Sequence, residues 1–480
     1  MAGRMPPGTS PGRAWRLQRA ERGFGMFKKY QQIHLVGIGG IGMSGIAEVL
    51  LNLGYRVTGS DIKASPLTRR LKRMGARIRI GHKKQNIDGA HAVVVSSAVG
   101  EDNPEVKEAR KLGIAVVQRA EMLAELMRLK YGVAVAGSHG KTSTTSLIGH
   151  MLHHAGLDPT LIIGGKVNNL RSNARLGRGD FLVAEADESD GSFLKLAPTV
   201  GVITNIDREH MESYSGFADL KRAFVEFANK VPFYGAVVAC TSSATVRRML
   251  PRITRPCVTY AGKGADYTAG DIRQDGERLT FTVLHRGDEL GEIVLRMTGR
   301  HHVENALATV AVGRHLDIPF KKIRVSLKNF SGVARRFQVI SKRGPMVVDD
   351  YAHHPVEILA TIDAAKTGWP KKRLVAVLQP HRYSRLANHF DEFVSSVRDA
   401  DAVVVMEVYA AGERPRRNYT GGRLWREMCK RYPKKMVAFA PTTEEVMLTL
   451  SPWCRKEDMI LFLGAGSVTK TAKEFSKSLT

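Results

Sequence analysis

The chain alternates short runs of Val, Ile, Leu and Ala with longer stretches in which apolar residues return every three or four positions, the pattern of buried strands separated by helices. Strand-like runs fall at 32–36, 55–60 and 92–97. Another ends at Ala136, and the segment opened by Lys141 and Thr142 then carries Leu147, Ile148, Met151 and Leu152 at helical spacing. Buried strands are expected again from Phe181 and from Gly201. Between 234 and 298 short β-like runs, including 279–284 and 292–297, alternate with turns, and a helix starts near Thr298. The last third repeats the rhythm, with strands at 346–349, 374–378, 402–408 and 459–463 and helices at 355–366 and 385–397. The prediction is an α/β chain of three units: 27–130, 131–330 and 331–480.

Two glycine turns stand between a strand and a helix. Gly137-Ser138-His139-Gly140-Lys141-Thr142-Ser143 has the form of a phosphate loop, in the shorter G-x-x-G-K-T spacing. Glycines let backbone N–H groups converge on an anion, a helix N-terminus adds its dipole, Lys141 can reach outer phosphates, and the Thr142 hydroxyl can ligate Mg²⁺. The earlier turn, Gly37-x-Gly39-x-x-Gly42, with Asp61 about 20 residues on, is the form that binds a nucleotide diphosphate and places a carboxylate near a ribose. Alone it fits a nicotinamide dinucleotide equally well. A dehydrogenase, however, leaves the second loop unexplained. Ser96 and Ser97 close the run at 92–97, where sites in such sheets collect.

Carboxylates gather at the ends of two later runs. Glu185, Asp187, Glu188 and Asp190 follow the strand from Phe181, a density of negative charge that calls for a metal or a cation opposite. Asn205, Asp207, Glu209 and His210 follow the strand from Gly201, and His210 beside these carboxylates is a metal candidate. Asn305 can present an amide to an adenine edge. Arg382 and Arg385, three apart in the first turn of a predicted helix, share a face suited to a carboxylate or phosphate.

Composition narrows the class. The 480 residues are 43% hydrophobic and 25% charged, enough for a large core, and no window approaches the roughly 18 apolar residues of a bilayer span. Four scattered cysteines, Cys240, Cys257, Cys429 and Cys454, argue for a reducing, cytoplasmic setting and against a zinc site. A net charge of +27 raises nucleic acid as a partner. The cations are nevertheless spread along the chain without a nucleic-acid motif, and a phosphate-bearing substrate is preferred. Residues 1–26 are basic, rich in Gly and Pro and without an apolar centre, so they are expected to be a disordered extension.

Taken together, HLVGIGGIGMSGIAEVLLNLGY, GSHGKTSTT, EADESDGSFL, ITNIDREHM, GRHHVENALA, ARRFQ, DDYAHHPVEI and LQPHRYSR resemble the Mur ligases, most closely their alanine-adding branch, in unbroken order from 27 to about 470. The resemblance implies an N-terminal Rossmann-like domain for a UDP-sugar, a central P-loop ATPase-like domain with a mixed sheet, and a C-terminal Rossmann-like domain. It implies ATP-dependent ligation of L-alanine to the lactyl carboxylate of UDP-N-acetylmuramate through an acyl phosphate, by a monomer or homodimer. By that resemblance the loop from Gly137 to Ser143 binds ATP with Asn305, Arg336 and Asp350, while Thr142, Glu185 and His210 hold Mg²⁺. Gly39, Gly40, Ile41, Gly42, Ser44, Asp61 and Ser96 are expected at the UDP-sugar. Tyr351, His353, Arg382 and Arg385 are expected at the amino acid and acyl end. Two departures stand out: His301-His302 occupies a position where relatives usually read His-Asn, and Arg222-Ala-Phe-Val225 lacks the lysine that several relatives carbamylate.

A recycling ligase that attaches a whole tripeptide shares the loops. A P-loop ATPase acting on nucleic acid would require stimulation by DNA or RNA.

Overall fold

The structure, a computed structural model, describes residues 31–96, 98–167, 172–209 and 211–479. The extension 1–26, Ser97 and the metal candidate His210 lie outside the described residues. The described residues form two compact units, divided between Met122 and Leu123. Among the described residues there are three sheets.

The first unit is a five-stranded parallel sheet: β1 (Gln32–Val36), β2 (Arg56–Asp61), β3 (Arg77–Ile80), β4 (Ala92–Val95) and β5 (Ala115–Gln118), in the order β3-β2-β1-β4-β5. Helices cover both faces of such a sheet, which is why β4 is buried along its whole length and reads as unbroken Val and Ala. Strand order reverses between β1 and β4, so a crevice opens beyond Val36 and Val95. The chain turns there at Gly37, whose φ of 77° favours glycine, and enters the helix Ile41–Asn52.

In the second unit a ten-stranded mixed sheet runs through β6 (Tyr131–Ala136), β7 (Thr160–Val167), β8 (Ser172–Arg175), β9 (Phe181–Glu185), β10 (Val200–Ile203), β11 (Ala236–Cys240), β12 (Cys257–Tyr260), β13 (Tyr267–Asp275), β14 (Arg278–His285) and β15 (Asp288–Leu295). Its order is β15-β14-β13-β12-β11-β10-β6-β9-β7-β8. The parallel neighbours of β6 decide the site, because Val135 pairs with Glu185 and Ala136 with Ile203. The carboxyl ends of β9 and β10 therefore flank the glycine turn. Leu147, Ile148, Met151 and Leu152 from helix Lys141–His154 share a core with Val303, Leu307 and Val310 from helix His301–His315. Each such buried side chain contributes roughly 1.5–3 kcal/mol, and Leu147→Ala would cost about 2–5 kcal/mol.

The third sheet contains β16 (Gln338–Ser341), β17 (Met346–Asp350), β18 (Leu374–Leu378), β19 (Ala402–Val405), β20 (Met436–Phe439) and β21 (Met459–Leu463), ordered β16-β17-β21-β18-β19-β20. Only β16 is antiparallel to its neighbour. This sheet and the ten-stranded one are tied by hydrogen bonds from Gln274 Nε2 to Ala364 O (2.8 Å) and from Gly276 N to Gly368 O (3.1 Å). The α/β architecture with a mixed central sheet agrees with the expectation.

Local expectations needed correction. The strand expected at 402–408 ends at Val405. The helix expected over 385–397 is two short helices, Tyr383–Asn388 and Phe390–Ser396, divided at His389, whose φ of −132° is not helical. Edge strands β16 and β20 were not among the expected strands; their residues are half-buried or exposed, so neither has the fully buried character of a core strand. No described helix is long and apolar enough to cross a membrane.

Candidate active site

The glycine turn after β6 is pinned from beneath by the end of β10. Asn205 accepts the His139 N–H at 2.7 Å through Oδ1 and donates to His139 O at 3.1 Å, while Thr204 Oγ1 donates to the same carbonyl at 2.6 Å. Ser138 N donates to Asn205 O at 3.1 Å. Gly137 and Gly140 have φ of 137° and 81°, the region that side chains avoid. A Cβ on Gly137 would lie 2.1 Å from Thr204 Oγ1, so the turn must be this tight. Gly140 starts helix Lys141–His154, and no side chain caps it; the positive end of the helix faces the place where an anion is expected.

Lys141 folds back over the turn. Its Nζ donates to Gly137 O at 2.5 Å and to Glu188 Oε1 at 2.9 Å. Burial works against its charge, but Glu188 overcomes this and holds the ammonium above its usual range. Thr142 Oγ1 donates to Glu185 Oε2 at 3.2 Å, and Gly164 N donates to Glu185 Oε1 at 2.6 Å. Burial pushes the Glu185 carboxyl up, against the pull of Gly164 and Lys141. A hydroxyl and a carboxylate that burial leaves short of positive charge are hard oxygen donors suited to a divalent cation. Arg222, in the stretch lacking the carbamylated lysine, turns outward to Asp219 at 2.9 Å.

A cavity opens beside the turn, walled by His139, Gly140, Asn305, Arg336, Asp350 and Glu357, with Ser143 also on its lining. It joins the loop to groups more than 150 residues distant. Asn305 accepts from Thr144 Oγ1 through Oδ1, and its Nδ2 lies 3.1 Å from His302 Nδ1; His302 in turn meets His301 at 3.1 Å. Asp350 accepts the N–H groups of Phe337 (2.6 Å) and Ala352 (2.7 Å). Burial nevertheless pushes its carboxyl up to about 6, with Arg336 pulling the other way.

His139 reaches the third sheet. Nδ1 is 3.3 Å from Glu357 Oε1, and Nε2 is 3.3 Å from Asp207 Oδ2 and 3.7 Å from Glu209 Oε1. Burial disfavours its charge, yet the facing carboxylates of Asp207 and Glu357 raise it to about 10. Glu357 also accepts the His353 and His354 N–H groups, at 3.1 and 3.4 Å, as the third residue of helix Pro355–Gly368.

A second, smaller cavity holds Glu209, His354, Arg382, Arg385, Asn388 and His389. Arg382 and Arg385 share it, but not as two positions of a first helical turn: Arg382 precedes the helix with φ of 69°, and its N–H is held by Tyr409 O. Arg385 Nη1 donates to His381 O at 3.2 Å. His353 Nδ1 donates to Tyr351 O at 3.0 Å, and burial lowers its pKa to about 3. The Tyr351 ring lies under the guanidinium groups of Arg335 and Arg336, 4.9 and 5.4 Å from its centroid.

In the first unit, Gly39, Gly40, Ile41 and Gly42 form one turn. Asp61 spends an oxygen on it, since Gly39 N donates to Oδ2 at 2.8 Å. The expected ribose contact therefore shares its carboxylate with the loop. Ser44 is buried, its hydroxyl bonded to Ile41 O at 2.9 Å, and Ser96 Oγ accepts Ala98 N at 3.1 Å. Sequence reasoning missed Arg119, whose side chain passes 3.3 Å from where a Gly42 Cβ would stand. It also missed Glu357 and His354 as site residues, and Glu188 as the partner of Lys141. For Glu188 the crowded acidic run was the available signal.

Profile models of one family cover the chain: the Mur ligase catalytic domain over 32–131, the Mur ligase middle domain over 135–313, and the Mur ligase glutamate ligase domain over 335–466. The chain is 52% identical over 446 residues to the UDP-N-acetylmuramate--L-alanine ligase of Pelobacter propionicus, covering 92% of this chain and 97% of that one. It is 49% identical to that of Geobacter sulfurreducens, covering 95% and 99%. Among solved structures, the UDP-N-acetylmuramate-alanine ligase of Thermotoga maritima superposes with a TM-score of 0.80 at 29% identity, covering 93% and 98%. A murein peptide ligase of Psychrobacter arcticus shares the fold, with a TM-score of 0.69 at 23% identity over 94% and 98%.

Proposed function

The chain belongs to the Mur ligase family, and from that premise we propose that it joins L-alanine to the lactyl carboxylate of UDP-N-acetylmuramate at the expense of ATP, a step of peptidoglycan precursor synthesis. The observation that carries the reading is identity of about half, over more than nine-tenths of the chain, to relatives named for that reaction. The second unit supports it by holding a phosphate loop and an arginine-lined cavity in one body.

A carboxylate is a poor acyl donor, so its oxygen attacks the γ-phosphorus and ADP leaves, giving an acyl phosphate. The uncharged amine of alanine then attacks the acyl carbon, and phosphate departs with its electron pair. Gly137 to Ser143 cradle the triphosphate, and Lys141, released from Glu188, follows the transferring phosphoryl group. Asn305, Arg336 and Asp350 line the nucleoside side. Mg²⁺, when bound, would supply charge neutralisation; Thr142 and Glu185 fit it, and His210 is assigned with them. Arg382 and Arg385 take the carboxylate of alanine, and Tyr351 and His353 border the acyl end. Gly39 to Ser44, with Asp61 and Ser96, receive the uridine diphosphate.

We retain the divisions at 130 and 330 as domain boundaries and a monomer or homodimer as the working state. Free thiols at all four cysteines and the need for ATP suit the cytoplasm.

Phosphate release with ATP, UDP-N-acetylmuramate, L-alanine and magnesium, each omitted in turn, tests the reading. Release is expected only with the full set; release without the sugar nucleotide, or none with all four, would refute it.

A further inference from the structure

His354 does two things that an ordinary helix cap does not combine. It precedes helix Pro355–Gly368 as its N-cap, and Val356 N donates to its Nδ1 at 3.4 Å. A ring nitrogen that accepts an N–H carries no proton, so the ring is neutral and its single proton sits on Nε2. That Nε2 is buried and has no hydrogen-bond partner among the described residues, with 7% of the side chain exposed. The nearest carboxylate oxygen, Glu209 Oε1, stands 3.6 Å away, beyond hydrogen-bond reach. A buried donor left unpaired is destabilising. Its place explains the cost, because the ring lines the same small cavity as Arg382 and Arg385.

We infer that His354 is a further catalytic residue, whose Nε2–H donates to the oxyanion formed when the amine adds to the acyl phosphate. This rests on the ligase reading given above. The alanine carboxylate already has two arginines and the phosphates have the glycine turn, whereas no donor is otherwise assigned to the oxygen that gains charge between them. A neutral donor forms no ion pair with a ground-state carboxylate, so its hydrogen bond strengthens as the oxyanion develops.

In the step, the nitrogen lone pair forms the C–N bond and the carbonyl π pair moves onto oxygen, where Nε2–H meets it. When the carbonyl re-forms, the C–O bond to phosphate breaks, phosphate keeps the pair, and the nitrogen gives one proton to water. The imidazole keeps its own proton throughout. A donor fixed at a helix N-cap also needs no reorganisation during the step.

The test is His354→Asn in the full chain. Asparagine caps a helix well, so the cap is kept while the Nε2 donor is removed. Acyl phosphate, trapped by borohydride reduction with ATP and UDP-N-acetylmuramate, should form within about threefold of wild type, while kcat for amide formation falls by about 10²-fold. Unchanged kcat would overturn the inference, and so would a parallel loss of trapping and kcat in a variant that melts like wild type. If the variant melts early, His354→Ser, another good cap, is read by the same criteria. Failure of the wild type to form acyl phosphate would sink the ligase reading instead, and the two failures are thereby distinguished.

Discussion

Nδ1 of His139 and Oε1 of Glu357 lie 3.3 Å apart although 218 residues separate them in the chain. A phosphate loop is thereby fastened to the first turn of a helix on another sheet. Glu357→Gln keeps a group that can cap the helix but removes the charge facing His139. The pKa of His139, raised from 6.5 to about 10, should fall by at least one unit, as followed by NMR of the labelled imidazole. A raised histidine stabilises the fold fully below its unfolded pKa and loses that contribution as pH climbs through the folded value. The wild-type melting temperature should therefore drop between pH 7 and 10 more steeply than that of Glu357→Gln. Identical slopes would remove His139 from the account.

Lys141→Ala should lower kcat by about 10² or more. It also strands Glu188, which is 1% exposed, without its cation. A buried charge that loses its partner is destabilising by about 3–5 kcal/mol, so the melting temperature should fall too. Adding Glu188→Gln should recover the melting temperature but not kcat. Recovery of both would mean that the lysine is structural.

Gly137→Ala and Gly156→Ala separate crowding from backbone strain. Both residues have positive φ, but a Cβ at 156 meets nothing within 4 Å, whereas one at 137 strikes Thr204 Oγ1. Gly156→Ala should cost about 1–2 kcal/mol in urea titrations. Gly137→Ala should cost more and abolish ATP binding by calorimetry. Equal effects would show that the Thr204 contact does not shape the turn.

Thr142→Val and Glu185→Gln remove one oxygen ligand and one negative charge from the assigned Mg²⁺ site. Each should raise the magnesium needed for half-maximal phosphate release at least about tenfold. An unaltered titration would move the metal elsewhere.

What could be read from the chain beforehand follows from range. Buried parallel strands such as β4, β18 and β21 announce themselves as Val, Ile and Leu runs, and the glycine turns as local spacing. Side-chain roles set by distant contacts did not. Nothing near Asp61 reveals that its carboxylate would close the glycine turn, and nothing near Arg382 signals φ of 69°, which Tyr409 O helps to hold from 27 positions on. His389 ends one helix because the backbone breaks there, with no Pro or Gly to mark it. The acidic run at 185–190 was conspicuous, but only folding assigns Glu188 to the lysine and Glu185 to the threonine.

Glu357 serves the His139 ring, two backbone amides and the opening of a helix with a single side chain. Local melting in either place removes the support of the other. Amide hydrogens around 137–140 and 353–357 should consequently exchange with deuterium at one shared rate, as a single opening event that nucleotide slows in both segments at once.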